Sequence, residues 1–149
     1  MARIKIVLPE RLPFVTELAV YIDLINEGAH LDNARLLGLV AEARCRLLAE
    51  LGFSQRDVGG AGIILADVAA QYRSEAFWGE RLHCAMGVSD PRPFGFDLVW
   101  QLTEATTGRE VARGKHGVVT FDYTTRSKTP VPAAFWSRWA ERFGETLAP

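Results

Sequence analysis

The apolar and polar positions of this chain follow two different rhythms. Residues 14–23 are rich in Val, Ile, Thr, Tyr and Phe and predict a strand. Asn26, Gly28 and Asp32 make 24–32 a turn region. From there Leu36, Leu39, Val40, Ala43 and Leu47 recur at spacings of three and four, the signature of a long helix with one apolar face. Asp32 or Asn33 can cap its start by accepting from a free backbone N–H. Gly52 ends it. Glu42/Arg46 and Arg46/Glu50 stand four apart and support its solvated side. Cys45 falls in an apolar-rich part of this helix and is read as a small buried hydrophobe.

Beyond Gly59, Gly60 and Gly62 the period changes. Segments near 62–72, 80–90, 94–104 and 109–123 read as strands, broken by Gly79, by Pro91 and Pro93, and by Thr107-Gly108. Strand, long helix, then four strands with short connections predict an α+β domain with an antiparallel sheet. One helix apolar over much of its surface calls for a sheet around it. Such a sheet leaves exposed edges, which pairing with a second copy resolves, so a homodimer is expected, with a tetramer as a further assembly. Phe135, Trp136, Trp139 and Phe143 follow Pro130 and Pro132 and predict an amphipathic C-terminal helix over 133–143, packed on its own sheet or on a neighbour. The expected organisation is one domain over 1–132 and a helical tail over 133–149.

The chain has 149 residues, the size of one ordinary domain. Hydrophobic residues make up 48% and charged residues 23%, which argues against disorder. A formal net charge of -1 gives no global attraction to nucleic acid or to an anionic membrane, and neither is expected as a partner. No apolar stretch approaches the about 20 residues of a membrane span. The N-terminal apolar run is short and broken by Lys5 and Pro9, so a cytoplasmic location is expected. Cys45 and Cys84 stand in no metal-ligand spacing, and His30, His83 and His116 are scattered, so no metal and no separate cofactor are expected. Phosphate-loop, dinucleotide and serine-elbow motifs are absent.

One stretch carries chemistry. Asn26-Glu27-Gly28-Ala29-His30-Leu31-Asp32-Asn33-Ala34-Arg35-Leu36-Leu37, followed by Glu42-Ala43-Arg44, resembles the opening of the 4-hydroxybenzoyl-CoA thioesterase-like family. That family shows an aspartate, then Gly-His-Val-Asn-Asn-Ala, then a helix with Glu-Ala-Arg. Gln71-Tyr72-Arg73 through Phe77-Trp78-Gly79-Glu80 is similar to the family's strand and turn. The likeness spans residues 14–132. It implies a hotdog fold, an antiparallel sheet wrapped around one long central helix, and hydrolysis of an acyl-CoA thioester, coenzyme A being part of the substrate. It also places the backbone N–H of Asn33 at the thioester oxygen, where a helix start favours developing negative charge.

The chain departs from the family at the catalytic carboxylate. The usual position, four before the histidine, is Asn26, and residue 24 is Leu24. Asp23 is one step earlier, which in a strand sends its side chain to the opposite face. An amide is neither nucleophile nor base near neutral pH. Asn26 is therefore a candidate for orienting water or donating to the carbonyl, or a turn residue bonded to its own backbone. His30 is a candidate general base or a loop-stabilising residue. Asp32 is the leading candidate for a displaced base, with a simple cap as its plainer role, and Glu27 is the second. Glu42 lies roughly 14 Å along a regular helix and reads as a structural salt link. Asp67 faces the acyl pocket, the dimer seam or solvent.

Arg73, Lys115, Arg126 and Lys128 are candidate contacts for the phosphates of coenzyme A, although 125–128 is equally an ordinary polar loop. The leading function is an acyl-CoA thioesterase. The alternative, motivated by Asn26, is a hotdog protein that binds an acyl thioester or other small molecule without hydrolysing it. A hydratase of related fold fits less well, because Asn26 and His30 stand four apart where that pattern needs three.

Overall fold

The computed structural model describes residues 1–149. Strand β1 (Phe14–Ala19) leads through a 3-10 turn (Ile22–Leu24) to helix α1 (Asn33–Glu50). Strands β2 (Gly62–Tyr72), β3 (Arg81–Arg92), β4 (Gly95–Glu104) and β5 (Glu110–Asp122) follow, then the two-residue β6 (Ser127–Lys128) and helix α2 (Ala133–Phe143). The sheet is antiparallel with order β1-β3-β4-β5-β2, and β6 pairs with β5. The chain therefore leaves one edge of the sheet, passes through α1, and returns at the other. That crossing sets the start of α1 beside the far end of β2.

Alternation decides which face of the sheet is covered. Leu82, Cys84, Met86 and Val88 on β3, and Phe96, Leu98, Trp100 and Leu102 on β4, are buried in one core. Leu36, Val40, Ala43, Leu47 and Leu48 of α1 join the same core, and so do Phe135, Trp139 and Phe143 of α2. The C-terminal helix thus packs on the sheet of its own chain. Gly114 makes room for the buried Trp100 ring: a Cβ there would collide with the indole and with the Ala69 carbonyl. No helix is long and apolar enough to cross a membrane.

Three expectations need correction. The strand expected over 14–23 ends at Ala19, so Asp23 lies in the 3-10 turn, and strand alternation cannot tell which way it points. Cys45 is exposed, its Sγ 3.2 Å from Gln55 Nε2. The residue that turns inward is its neighbour Arg44, because the buried stripe runs Leu36, Val40, Ala43, Arg44, Leu47, Leu48. Arg44 donates from Nη1 to His116 Nδ1 on β5 at 2.9 Å, and from Nε and Nη2 to Gln55 Oε1 at 3.2 and 3.0 Å. These bonds make burial of a guanidinium tolerable. Finally, the polar loop at 125–128 contains β6.

Of the two helix pairs, Glu42–Arg46 forms at 2.8 Å. Glu50 pairs instead with Arg142 of α2. Asp67 sits at an irregularity in β2, exposed, with Lys115 Nζ at 3.2 Å. Lys115 also reaches Asp97 at 2.9 Å.

Candidate active site

The turn before α1 is built from its own polar groups. Asn26 N donates to the His30 carbonyl at 3.0 Å, and Ala29 N to the Asn26 carbonyl at 3.0 Å. Gly28 N donates to Asn26 Oδ1 at 2.9 Å, so that oxygen is engaged and the amide nitrogen remains as a donor. Gly28 is required sterically: a Cβ there would lie 2.8 Å from His30 Nε2 and 3.2 Å from Asn26 Oδ1. Leu31 N donates to the Ala76 carbonyl at 2.7 Å, which pins the turn against the segment after β2.

Asp32 caps α1. Its Oδ1 accepts from Ala34 N at 2.9 Å and Arg35 N at 3.1 Å. Leu36 N donates to the Asp32 carbonyl at 2.9 Å. This leaves the N–H of Asn33 as the one first-turn donor without an acceptor in the chain, at the positive end of an 18-residue helix. The Tyr72 hydroxyl donates to the Asn33 carbonyl at 2.9 Å and fixes the residue that carries this N–H to the end of β2.

A cleft of about 270 Å³ opens at this point. Asn26, His30 and Asn33 line it from the turn and helix start, and Tyr72, Arg73, Ser74 and Glu75 from the end of β2. Leu31, Leu36, Ala76 and Val111 supply apolar wall. His30 Nδ1 is 3.2 Å from the Leu31 carbonyl. Because a carbonyl only accepts, Nδ1 carries the proton there and Nε2 presents its lone pair. Nε2 lies 3.8 Å from Glu75 Oε1.

The fold therefore brings together Asn26, His30, Asn33 and Arg73 of the residues picked out from sequence. It does not bring Asp32 or Glu27 into the cleft lining, nor Arg126 and Lys128. Arg126 occupies the β5–β6 turn at a positive φ of 56°, and the Lys128 ammonium stands 5.0 Å over the Phe94 ring, beside a separate surface hollow. Lys115 is held by its two aspartates. Tyr72, Ser74 and Glu75 were not singled out by sequence, although Tyr72 belongs to the quoted Tyr-Arg pair. Nowhere do three or more His, Cys, Asp or Glu side chains cluster as metal ligands would.

An antiparallel sheet over one long helix, whose first residue lines a small cleft, defines an α+β domain of hotdog type. Solved structures share it. A 1,4-dihydroxy-2-naphthoyl-CoA thioesterase from Synechocystis superposes with a TM-score of 0.76 at 20% identity, covering 84% of this chain and 93% of that one. A Staphylococcus aureus protein solved in complex with CoA gives 0.79 at 17% identity, over 91% and 87%. A thioesterase-superfamily protein from Jannaschia sp. CCS1 gives 0.80 at 18% identity, over 95% and 89%. A sequence search of curated proteins finds no match. The family model of the thioesterase-like superfamily matches residues 20–139. The chain belongs to that superfamily, a class of thioester hydrolases.

Proposed function

We propose that this protein hydrolyses the thioester of an acyl-coenzyme A to the free acid and coenzyme A. The observation that carries the reading is the unpartnered N–H of Asn33, a residue at the start of α1 that lines the cleft. In this reading the thioester carbonyl accepts from it, and charge developing on that oxygen meets a fixed donor; one such donor is typically worth about a hundred- to a thousandfold in rate. Asn26 also lines the cleft, and its amide nitrogen remains able to donate. Arg73 is half exposed at the cleft, 3.8 Å from Glu110, and is free enough to meet a phosphate of the coenzyme. The working unit is a homodimer joined along β2.

The test is thiol release from short, medium, long and aromatic acyl-CoAs, with Asn26→Ala beside the parent. Turnover of at least one substrate is expected, reduced by about a hundredfold in the variant. The amide at position 26, where relatives hold a carboxylate, favours a second reading, binding without hydrolysis. Saturable acyl-CoA binding without thiol release across the panel would establish that reading and exclude the first.

A further inference from the structure

The cleft holds a carboxylate that the sequence motif does not. We propose that Glu75 and His30 together hold and deprotonate the water that attacks the thioester, so that Glu75 replaces the acid missing at position 26. The inference rests on the hydrolase reading above.

Four observations converge. Glu75 is the only acidic residue in the cleft lining. Its Oε1 lies 3.8 Å from His30 Nε2, the nitrogen left bare by the Nδ1 bond to Leu31. Its position is fixed by backbone: Arg109 Nη2 donates to the Glu75 carbonyl at 3.1 Å, and Leu31 N donates to the next carbonyl at 2.7 Å. Of the acids of the turn, neither Glu27 nor Asp32 lines the cleft, and Asp32 has its Oδ1 filled by two helix N–H groups.

A separation of 3.8 Å is too long for a direct hydrogen bond, yet two acceptors so spaced can share one water at about 2.8 Å from each. Such a water donates one proton toward Nε2 and the other toward Oε1. Its remaining lone pair is free to attack the carbonyl whose oxygen rests on Asn33 N–H. As the C–O bond forms, the carbonyl π pair moves to oxygen and the proton passes to Nε2. The resulting imidazolium stands beside the Glu75 carboxylate, an opposite charge close enough to stabilise it. Collapse of the tetrahedral adduct breaks the C–S bond. The sulfur leaves with the bonding pair and takes the proton from Nε2. The products are the acid and the thiol, and the histidine returns to its starting state.

The experiment compares the parent with Glu75→Gln, Glu75→Asp, His30→Gln and the double variant His30→Gln/Glu75→Gln on the best acyl-CoA of the panel. It adds the dissociation constant for a non-hydrolysable thioether analogue. Glu75→Gln is expected to lower kcat by about a hundredfold or more, with KM and thioether binding nearly unchanged. Glu75→Asp should recover part of the loss, and the double variant should be little slower than the worse single, since both groups serve one proton transfer. Glu75 is exposed on its side chain, so an amide there leaves the fold intact, which thermal unfolding verifies. Full turnover by Glu75→Gln overturns this assignment and leaves the hydrolase reading standing. Losses that multiply in the double variant overturn the shared water. A parent with no turnover overturns both.

Discussion

At the scale of single residues, Asp32, the leading carboxylate of the turn, and Glu75, the carboxylate of the cleft, compete for the base, and their surroundings separate them. Asp32 spends its Oδ1 on Ala34 N and Arg35 N. Asparagine caps a helix about as well as aspartate, whereas alanine costs about 1 kcal/mol. Asp32→Asn is therefore expected to keep both stability and thioester turnover, and Asp32→Ala to lose stability in urea unfolding. A collapse of kcat in Asp32→Asn would return the base to position 32. Asn26, His30 and Asn33 could be picked out together because they lie in one short turn and the helix start that follows it, at a spacing set by local backbone bonds. The sequence could not show Glu75, which is distant from His30 along the chain and reaches it only through the Leu31–Ala76 backbone bond. Arg126 and Lys128 lie outside the cleft lining: positive charge in a polar segment says what a residue can bind, not where the fold puts it.

At the scale of elements, the sequence pattern located α1, α2 and the five long strands to within a few residues, because all but β2, which is buried only at its start, have a buried face to satisfy. The 3-10 turn and β6 have no such face, and their sequences carried no signal. Helix phase was the weaker inference: an apolar neighbourhood did not reveal that Arg44, rather than Cys45, turns inward. That choice depends on His116, which lies on another element. The His116 imidazole is pushed down to about 4, by burial first and by the Arg44 charge second. It is therefore neutral near pH 7 and accepts from Arg44. A histidine in the unfolded chain titrates near about 6.5. Between those values the unfolded chain binds the extra proton. Stability contributed by this group is thus present above about pH 6.5 and is lost as pH falls toward about 4. The urea midpoint should drop between pH 7 and pH 5, with a shallower drop in His116→Gln, whose amide oxygen can still accept from Arg44. Equal slopes in parent and variant would remove His116 as the cause.

At the scale of the whole molecule, the two sheet edges are not alike. The β1 edge is six residues long. Arg46 Nη1 donates to the Glu17 carbonyl at 2.8 Å, while the Glu17 carboxylate faces Arg81 and His83, so that edge is blunted by charge. The β2 edge has 11 residues, pairs on one side only, and exposes Leu65, Val68 and Tyr72 with Asp67 as its single charge. An edge of that length and polarity favours continuation of the sheet into a second copy around a two-fold axis. Tyr72 ends this strand and holds Asn33, so in such a dimer the seam would be mechanically linked to the helix-start donor. Light scattering should give twice the 16.5 kDa of one chain. In such a dimer Val68→Lys would bring like charges to the seam. It should shift the mass toward one chain and lower turnover per chain as the Tyr72 end loosens. A parent that runs at 16.5 kDa under assay conditions would sink the edge-paired dimer. A dissociated variant with full turnover would show instead that each cleft works alone, with Tyr72 held by Asn33 and not by the seam.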